Sequence, residues 1–203
     1  MTEDVGRHQA ARGRIARALR EAIARLATTE APADELAKAA EFAEGLLAHL
    51  PPSARTSRYQ HSALEEHTWD TDAVVGAFNP LSALSVIDPG PPLVLEGRFS
   101  VAYEGSLGLV QGGLLVTGCD WAMGVAAAGV ADGVVTGSLS VRFTAPAKIG
   151  ALIRIEAAPD RIEGRKLFMR ATASADGVVC AVAEAVFISG VNLLPDHARP
   201  KGA

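Results

Sequence analysis

Over the first fifty residues, apolar side chains recur at helical spacing. Ile15, Leu19, Ala22, Ile23 and Leu26 fall on one side of a helix, with Arg12, Arg14, Arg17, Arg20 and Arg25 around the rest. After Thr28-Thr29-Glu30 a second helix is predicted. Pro32 suits a first helical position and Asp34 and Glu35 fall in the first turn. Leu36, Ala39, Ala43, Leu46, Leu47 and Leu50 form its apolar stripe, which Pro51-Pro52 ends. The first helix is Arg-rich and the second acid-rich, so residues 1–52 read as a helical hairpin arm, its stripes docked on each other or on the main domain. A basic amphipathic helix also suits a membrane surface or a partner, a reading that the acidic second helix disfavours.

Residues 53–92 lose this regularity. Pro, Ser, Asp and Gly are frequent, while Val74, Val75, Phe78 and Val86 are scattered without a firm period, so short strands and an ordered wrapping linker both fit. From Leu93 the period becomes two. Leu93, Leu95, Phe99, Val101 and Tyr103 alternate with Val94, Glu96, Arg98, Ser100 and Ala102, as in a half-buried strand. A glycine-bearing loop and one long apolar helix ending near Val130 follow. Asp132-Gly133 marks a turn, and Leu139, Val141 and Phe143 alternate with polar residues until Pro146. Ile153, Ile155 and Ala157 open another strand; Leu167 to Ser174 and Val178 to Ile188 complete the series, with turns at Glu163-Gly164 and Asp176-Gly177. A strand, a helix and four more strands predict an α+β layer over residues 93–190, the antiparallel sheet wrapping the helix, with a tail at 191–203.

Composition narrows the class. Of 203 residues, 49% are hydrophobic, enough for one well-filled domain with an appendage. The formal charge of -4 gives no general electrostatic case for nucleic acid. Cys119 and Cys180 have neither metal-ligand nor CxxC spacing and suit buried thiols of a reducing compartment. No apolar signal core opens the chain, and Asp120 and glycines interrupt its most apolar run, so neither a secretory leader nor a membrane span is expected. His8, His49, His61, His67 and His197 show no ligand spacing, so no metal is expected.

The long helix contains one anomaly, Asp120. Aspartate is a poor interior helix residue, and neighbours Leu114, Leu115, Val116, Met123 and Val125 imply burial, where an unpaired carboxylate costs several kcal/mol. Upstream, Gln111-Gly112-Gly113 stands at the helix start, where the first amides lack internal acceptors and suit a developing oxyanion. Cys119 has no histidine to activate it and reads as core. Taken singly, Asp120 is as compatible with a structural carboxylate, Thr136 with an ordinary strand residue, and Gly112-Gly113 with a packing turn.

Tyr103-Glu104-Gly105, the Gly112-Gly113 pair opening a helix, and Asp120 nine positions after Gln111 together resemble the hotdog-fold acyl-CoA thioesterases, in the branch of the phenylacetate-pathway and mammalian thioesterase-superfamily-member enzymes. The resemblance covers roughly residues 79–189. It implies a sheet wrapped around one central helix, a homodimer or dimer of dimers joined through sheet edges, cytoplasmic location, a place in fatty acid metabolism, and no cofactor beyond the CoA of the substrate. The Gly113 amide would polarise the thioester carbonyl, with Gly112 beside it. Gln111 stands where the family has His; its amide can still donate a hydrogen bond but cannot transfer a proton. Asp120 would be nucleophile or general base, and Thr136, sixteen positions on, would orient the attacking water. Because nine helical residues rise ~13 Å, Asp120 would serve the carbonyl held by a second subunit. Gly164, Arg165 and Lys166 match the family's Glu-Gly-Arg-Lys turn that contacts CoA. Asn79, in Asn79-Pro80-Leu81, resembles an element near the family's site, and Trp121 suits either core or acyl-pocket wall. The Gln111 departure also leaves room for a non-catalytic acyl-CoA-binding protein. A hydratase would favour a close Asp and His pair, which is missing from this stretch.

Overall fold

The computed structural model describes residues 2–50, 52 and 69–191; residues 53–68 of the predicted linker and 192–203 of the predicted tail lie outside this range, as do His61, His67 and His197. The chain forms two compact units, Met1–Leu81 and Ser82–Ala203.

The first unit holds α1 (Thr2–Leu26) and α2 (Ala33–Ala48), followed by turns over residues 69–81. Gly13 and Ala16 of α1 are buried, with the Phe78 ring packed at Gly13, where an added Cβ would lie in ordinary contact 3.7 Å from it. Arg12 stacks over Phe78 at 4.9 Å from the ring centroid, and Arg20 donates to the Asn79 carbonyl at 2.9 Å. Both predicted helices are present, but the hairpin is not closed on its apolar stripes. α2 buries none of its residues, with Leu47 70% and Phe42 82% exposed.

The second unit is one six-stranded antiparallel sheet against one long helix. Its elements are β1 (Leu84–Asp88), β2 (Leu93–Arg98), a 3-10 turn (Val101–Tyr103), α3 (Gly112–Ala128), β3 (Val135–Phe143), β4 (Leu152–Glu163), β5 (Lys166–Ala175) and β6 (Val178–Ile188). The strand order is β1-β2-β4-β5-β6-β3, which leaves β1 and β3 at the edges. Alternation decides which side chains reach α3. Ile153, Ile155 and Ala157 of β4, with Leu167, Met169, Ala171 and Ala173 of β5, are buried, while their alternate neighbours face away. The many alanines on β5 and β6 bring the helix close. At Gly118 the approach is tightest, since a Cβ there would meet Ile155 Cδ1 at 2.5 Å.

Two features depart from the alternation. The strand starting at Leu93 stops at Arg98 instead of running to Tyr103, because the chain turns to deliver the Tyr103 carbonyl to the Gln111 amide, 3.0 Å away. The 53–92 segment contributes a strand to the sheet, β1, whose pairing with β2 shifts register between Val86 and Asp88. Asp176-Gly177 forms the expected two-residue hairpin turn, with φ of 47° and 83°.

Candidate active site

The loop before α3 is built around its glycines. Gly105 lies so close to Gln111 that a Cβ would come within 2.8 Å of the Gln111 Cα, and its amide donates to the Leu109 carbonyl at 2.9 Å. Glu104 bridges to Val110, and its carboxylate accepts from the Gly108 amide. The Tyr103-Glu104-Gly105 stretch thereby fixes Gln111 at the N-cap, while the Gln111 side chain makes no capping bond. Among the described residues, the Gly112 and Gly113 amides have no acceptor. The Gln111 carboxamide lies over Gly113, its Oε1 2.8 Å from where a Cβ would stand. Two free amides at the positive end of a helix, with a side-chain amide alongside, can donate hydrogen bonds to an oxyanion.

Asp120 lies seven residues beyond Gly113 on nearly the same helix face, about 10 Å along the axis. It is half-buried rather than enclosed, because β3, the strand beside it, is a sheet edge. Thr136 Oγ1 donates to Asp120 Oδ1 at 3.0 Å. A bulge in β3 enables this: register with β6 shifts between Thr136 and Ser138, so Thr136 pairs with Phe187 on the helix-facing side. Asp120 and Thr136 are thus brought together, while Gly113 and Asp120 of one chain stay apart. Trp121, the next residue, is half-buried. Cys119 is enclosed on its other flank. Burial foremost, then the charges of Cys180 and Asp120, push its thiol from 9.0 up to about 12, which keeps it protonated and inert at neutral pH.

The β4–β5 turn has Gly164 at φ 58°, a conformation that disfavours any side chain. Arg165 folds back onto its own unit, donating through Nε to the Ser189 carbonyl at 2.9 Å, while the Ser189 amide returns a bond to the Arg165 carbonyl. Lys166 is exposed, without an ion pair among the described residues. Asn79 is occupied within the first unit: its Nδ2 donates to the Thr71 carbonyl at 3.3 Å, and its Oδ1 accepts from the Leu81 amide at 2.9 Å.

Sequence reasoning missed Phe143. Its ring lies on Gly112, 3.0 Å from where a Cβ would stand, and with Leu109, Val110, Leu115 and Pro146 it lines an apolar cleft of about 360 Å³ at the helix start. Alternation assigns Phe143 to the helix side of β3, but only the folded chain shows which glycine it covers. A larger cleft, about 520 Å³, opens on the other side of the sheet among Arg161, Phe168, Arg170 and Glu184. Its charges are already paired, Arg170 with Glu184 at 2.9 Å and Arg161 with Asp160 and Glu163. The sheet separates it from Asp120. Among the described residues no group of His, Cys, Asp and Glu could hold a metal ion, and no helix is long and apolar enough to cross a membrane.

The family model for the thioesterase superfamily matches residues 107–182, a span that takes in Gln111, Gly112, Gly113, Asp120, Thr136 and the Gly164 turn. An acyl-coenzyme A thioesterase of Xenopus laevis, THEM4, is 32% identical over 83 residues, 41% of this chain and 33% of that protein. The match thus spans about a third of the length of that curated relative. A crystal structure of a thioesterase superfamily protein superposes with a TM-score of 0.65 at 25% identity, over 91% of this chain and 94% of that one. A mutant of the phenylacetic acid degradation protein PaaI from Thermus thermophilus shares the fold, with a TM-score of 0.50 at 20% identity over 53% of this chain and 93% of its own. The sheet-and-helix unit has the hotdog fold, and within it residues 107–182 resemble the thioesterase superfamily.

Proposed function

We propose that the chain is an acyl-CoA thioesterase, releasing CoA and a free acid from a small-molecule acyl-CoA. The observation that carries this reading is the Thr136–Asp120 hydrogen bond, on the same helix whose first amides are free. Hydrolysis needs an oxyanion donor and an oxygen nucleophile or a base that generates one. The Gly113 amide, flanked by Gly112 and the Gln111 carboxamide, donates a hydrogen bond to the thioester carbonyl oxygen. Asp120 attacks or deprotonates water, with Thr136 holding the carboxylate or the water in line. Lys166 meets the phosphate end of CoA at the turn that Gly164 permits, and Arg165, anchored on Ser189, secures that turn. Trp121 borders the acyl group. CoA belongs to the substrate, so no cofactor is required. We place the enzyme in the cytoplasm, in keeping with two buried free thiols, and in fatty acid metabolism.

The distance between Gly113 and Asp120 requires a second copy. β3 offers an unpaired edge of nine residues beside Asp120, and pairing two such edges about a two-fold axis would set the two helices antiparallel. Each carbonyl would then be held by one protomer's Gly113 and attacked from its partner's Asp120, in a homodimer or dimer of dimers.

The test is free-thiol release from acyl-CoAs of short, long and aromatic chains, with Asp120→Ala alongside. The expected result is turnover that falls at least ~10²-fold in the variant while CoA-ester binding persists. Gly113→Ala sharpens it, since the added methyl would meet only the flexible Gln111 carboxamide. Turnover should drop tenfold or more with little loss of stability. The Gln111 departure from His favours one second reading, a non-catalytic acyl-CoA-binding protein. Tight binding of acyl-CoAs without thiol release from any of them would establish that reading instead.

A further inference from the structure

α2 presents a stripe that nothing in the described chain covers. Leu36, Ala40, Ala43 and Leu47 recur at alternating steps of four and three, the spacing of a two-helix seam, and all four are exposed. α1 carries a second stripe of similar pitch. With one side committed to Phe78 and Asn79, it still presents Ala11, Ile15, Ala18, Ala22 and Leu26, of which only Ile15 is half-buried. Alanines alternating with Leu and Ile on both helices allow close approach of their axes.

The rims have opposite charge. α1 has six arginines against three acids, and α2 has four acids against one lysine. By helical spacing Arg14 and Arg25 border the α1 stripe, and Glu35 and Glu44 border that of α2. Among the described residues, Arg14, Glu35 and Glu44 make no ion pair. Each helix therefore complements the other in pitch, side-chain size and charge, yet among the described residues of one chain both stripes stand open.

We infer that α2 of one chain packs on α1 of a second copy, and α1 on the second copy's α2, in a reciprocal arm exchange. A two-fold axis makes the two contacts identical and covers all four stripes at once. An anionic lipid surface fits less well, because acids border the α2 stripe. This contact involves only the arms and is independent of the thioesterase reading.

Paired cysteines test it in the full-length protein. Cys119 and Cys180 are fully buried, so Ala18→Cys and Ala43→Cys supply the reactive thiols. Mixing a chain carrying A18C with one carrying A43C should give a covalent dimer on mild oxidation, and neither chain alone should do so. The double variant should also run as a covalent dimer. A monomeric intramolecular disulfide would mean that the hairpin closes within its own chain and would overturn the exchange. A second measurement is sedimentation of Leu36→Glu/Leu47→Glu, for which self-association at least tenfold weaker is expected. Unchanged association, with wild-type binding to phosphatidylserine vesicles, would assign the stripe to lipid. The charge rims offer a rescue. Glu35→Arg/Glu44→Arg should weaken association, and a copy carrying Arg14→Glu/Arg25→Glu should restore it; no restoration would disprove the α1–α2 pairing.

Discussion

α3 and α2 are nearly equal in length, 17 and 16 residues, and local preference favours the wrong one. α3 has four glycines and an aspartate in its body, and neither helix has a side-chain cap. α2 is built mostly of Ala, Leu, Glu and Lys, with acids in its first turn. Yet α3 buries six of its residues and α2 none. The sheet makes the difference: α3 needs no propensity, because every turn is held by a strand. Its glycines give close approach and free amides, the features that the proposed chemistry would use. An isolated helix of sixteen residues is marginal in water, so α2 gains its order from propensity until another surface covers it.

This contrast breaks most visibly inside the sheet unit. Met123 is fully buried at the centre of α3, and Met123→Ala should cost ~2–5 kcal/mol in urea unfolding, by lost transfer energy plus a cavity. Gly97→Ala in β2 should be comparably harmful, since its Cβ would stand 1.9 Å from the Ala83 carbonyl oxygen. That clash is with backbone, and no rotamer relieves it. A smaller effect comes from pH. The folded Cys119 thiol titrates near 12 and the ordinary thiol at 9.0. Between these values the unfolded chain has released a proton that the fold retains, so stability falls as pH rises, by up to ~1.4 kcal/mol per unit. Cys119→Ala should flatten that slope, whatever its effect on stability at neutral pH. An equal slope in the variant would assign the alkaline loss to other groups.

The same contrast explains what could be read from the chain. β4 through β6 were legible because one face is buried and the other wet, so alternation follows burial and the Gly164 and Gly177 turns punctuate it; β2 departs, burying Val94 as well as Leu93 and Leu95. β1 was not legible: only Leu84 of its five residues is buried, and an edge strand with a register shift leaves little pattern. The two stripes of the arm were legible, but not their exposure, which depends on what surface is present. At the site, Asp120 stood out as a misplaced residue. The residue spacing became meaningful only through the family resemblance, and the Thr136 contact depends on a bulge that alternation alone does not predict. Phe143 over Gly112 and Arg165 folded onto Ser189 join residues far apart in sequence, and no local period encodes such contacts.

The smallest expected effect discriminates most finely. Phe42 of α2 is 82% exposed and lies beside the heptad stripe, so Phe42→Ser should change stability by less than ~0.5 kcal/mol at any protein concentration. Leu47 lies in the stripe and is 70% exposed in one chain, so Leu47→Ala should be equally mild in dilute solution. If a second copy covers it, the cost of Leu47→Ala should grow with concentration, because association stabilises only the folded chain. Thermal unfolding of both variants over a hundredfold range of concentration checks this. A penalty for Leu47→Ala that rises while that of Phe42→Ser stays flat would show that α2, like α3, is completed by a surface, one that belongs to another molecule. Flat penalties for both would leave α2 a solvated helix held by its own propensity alone.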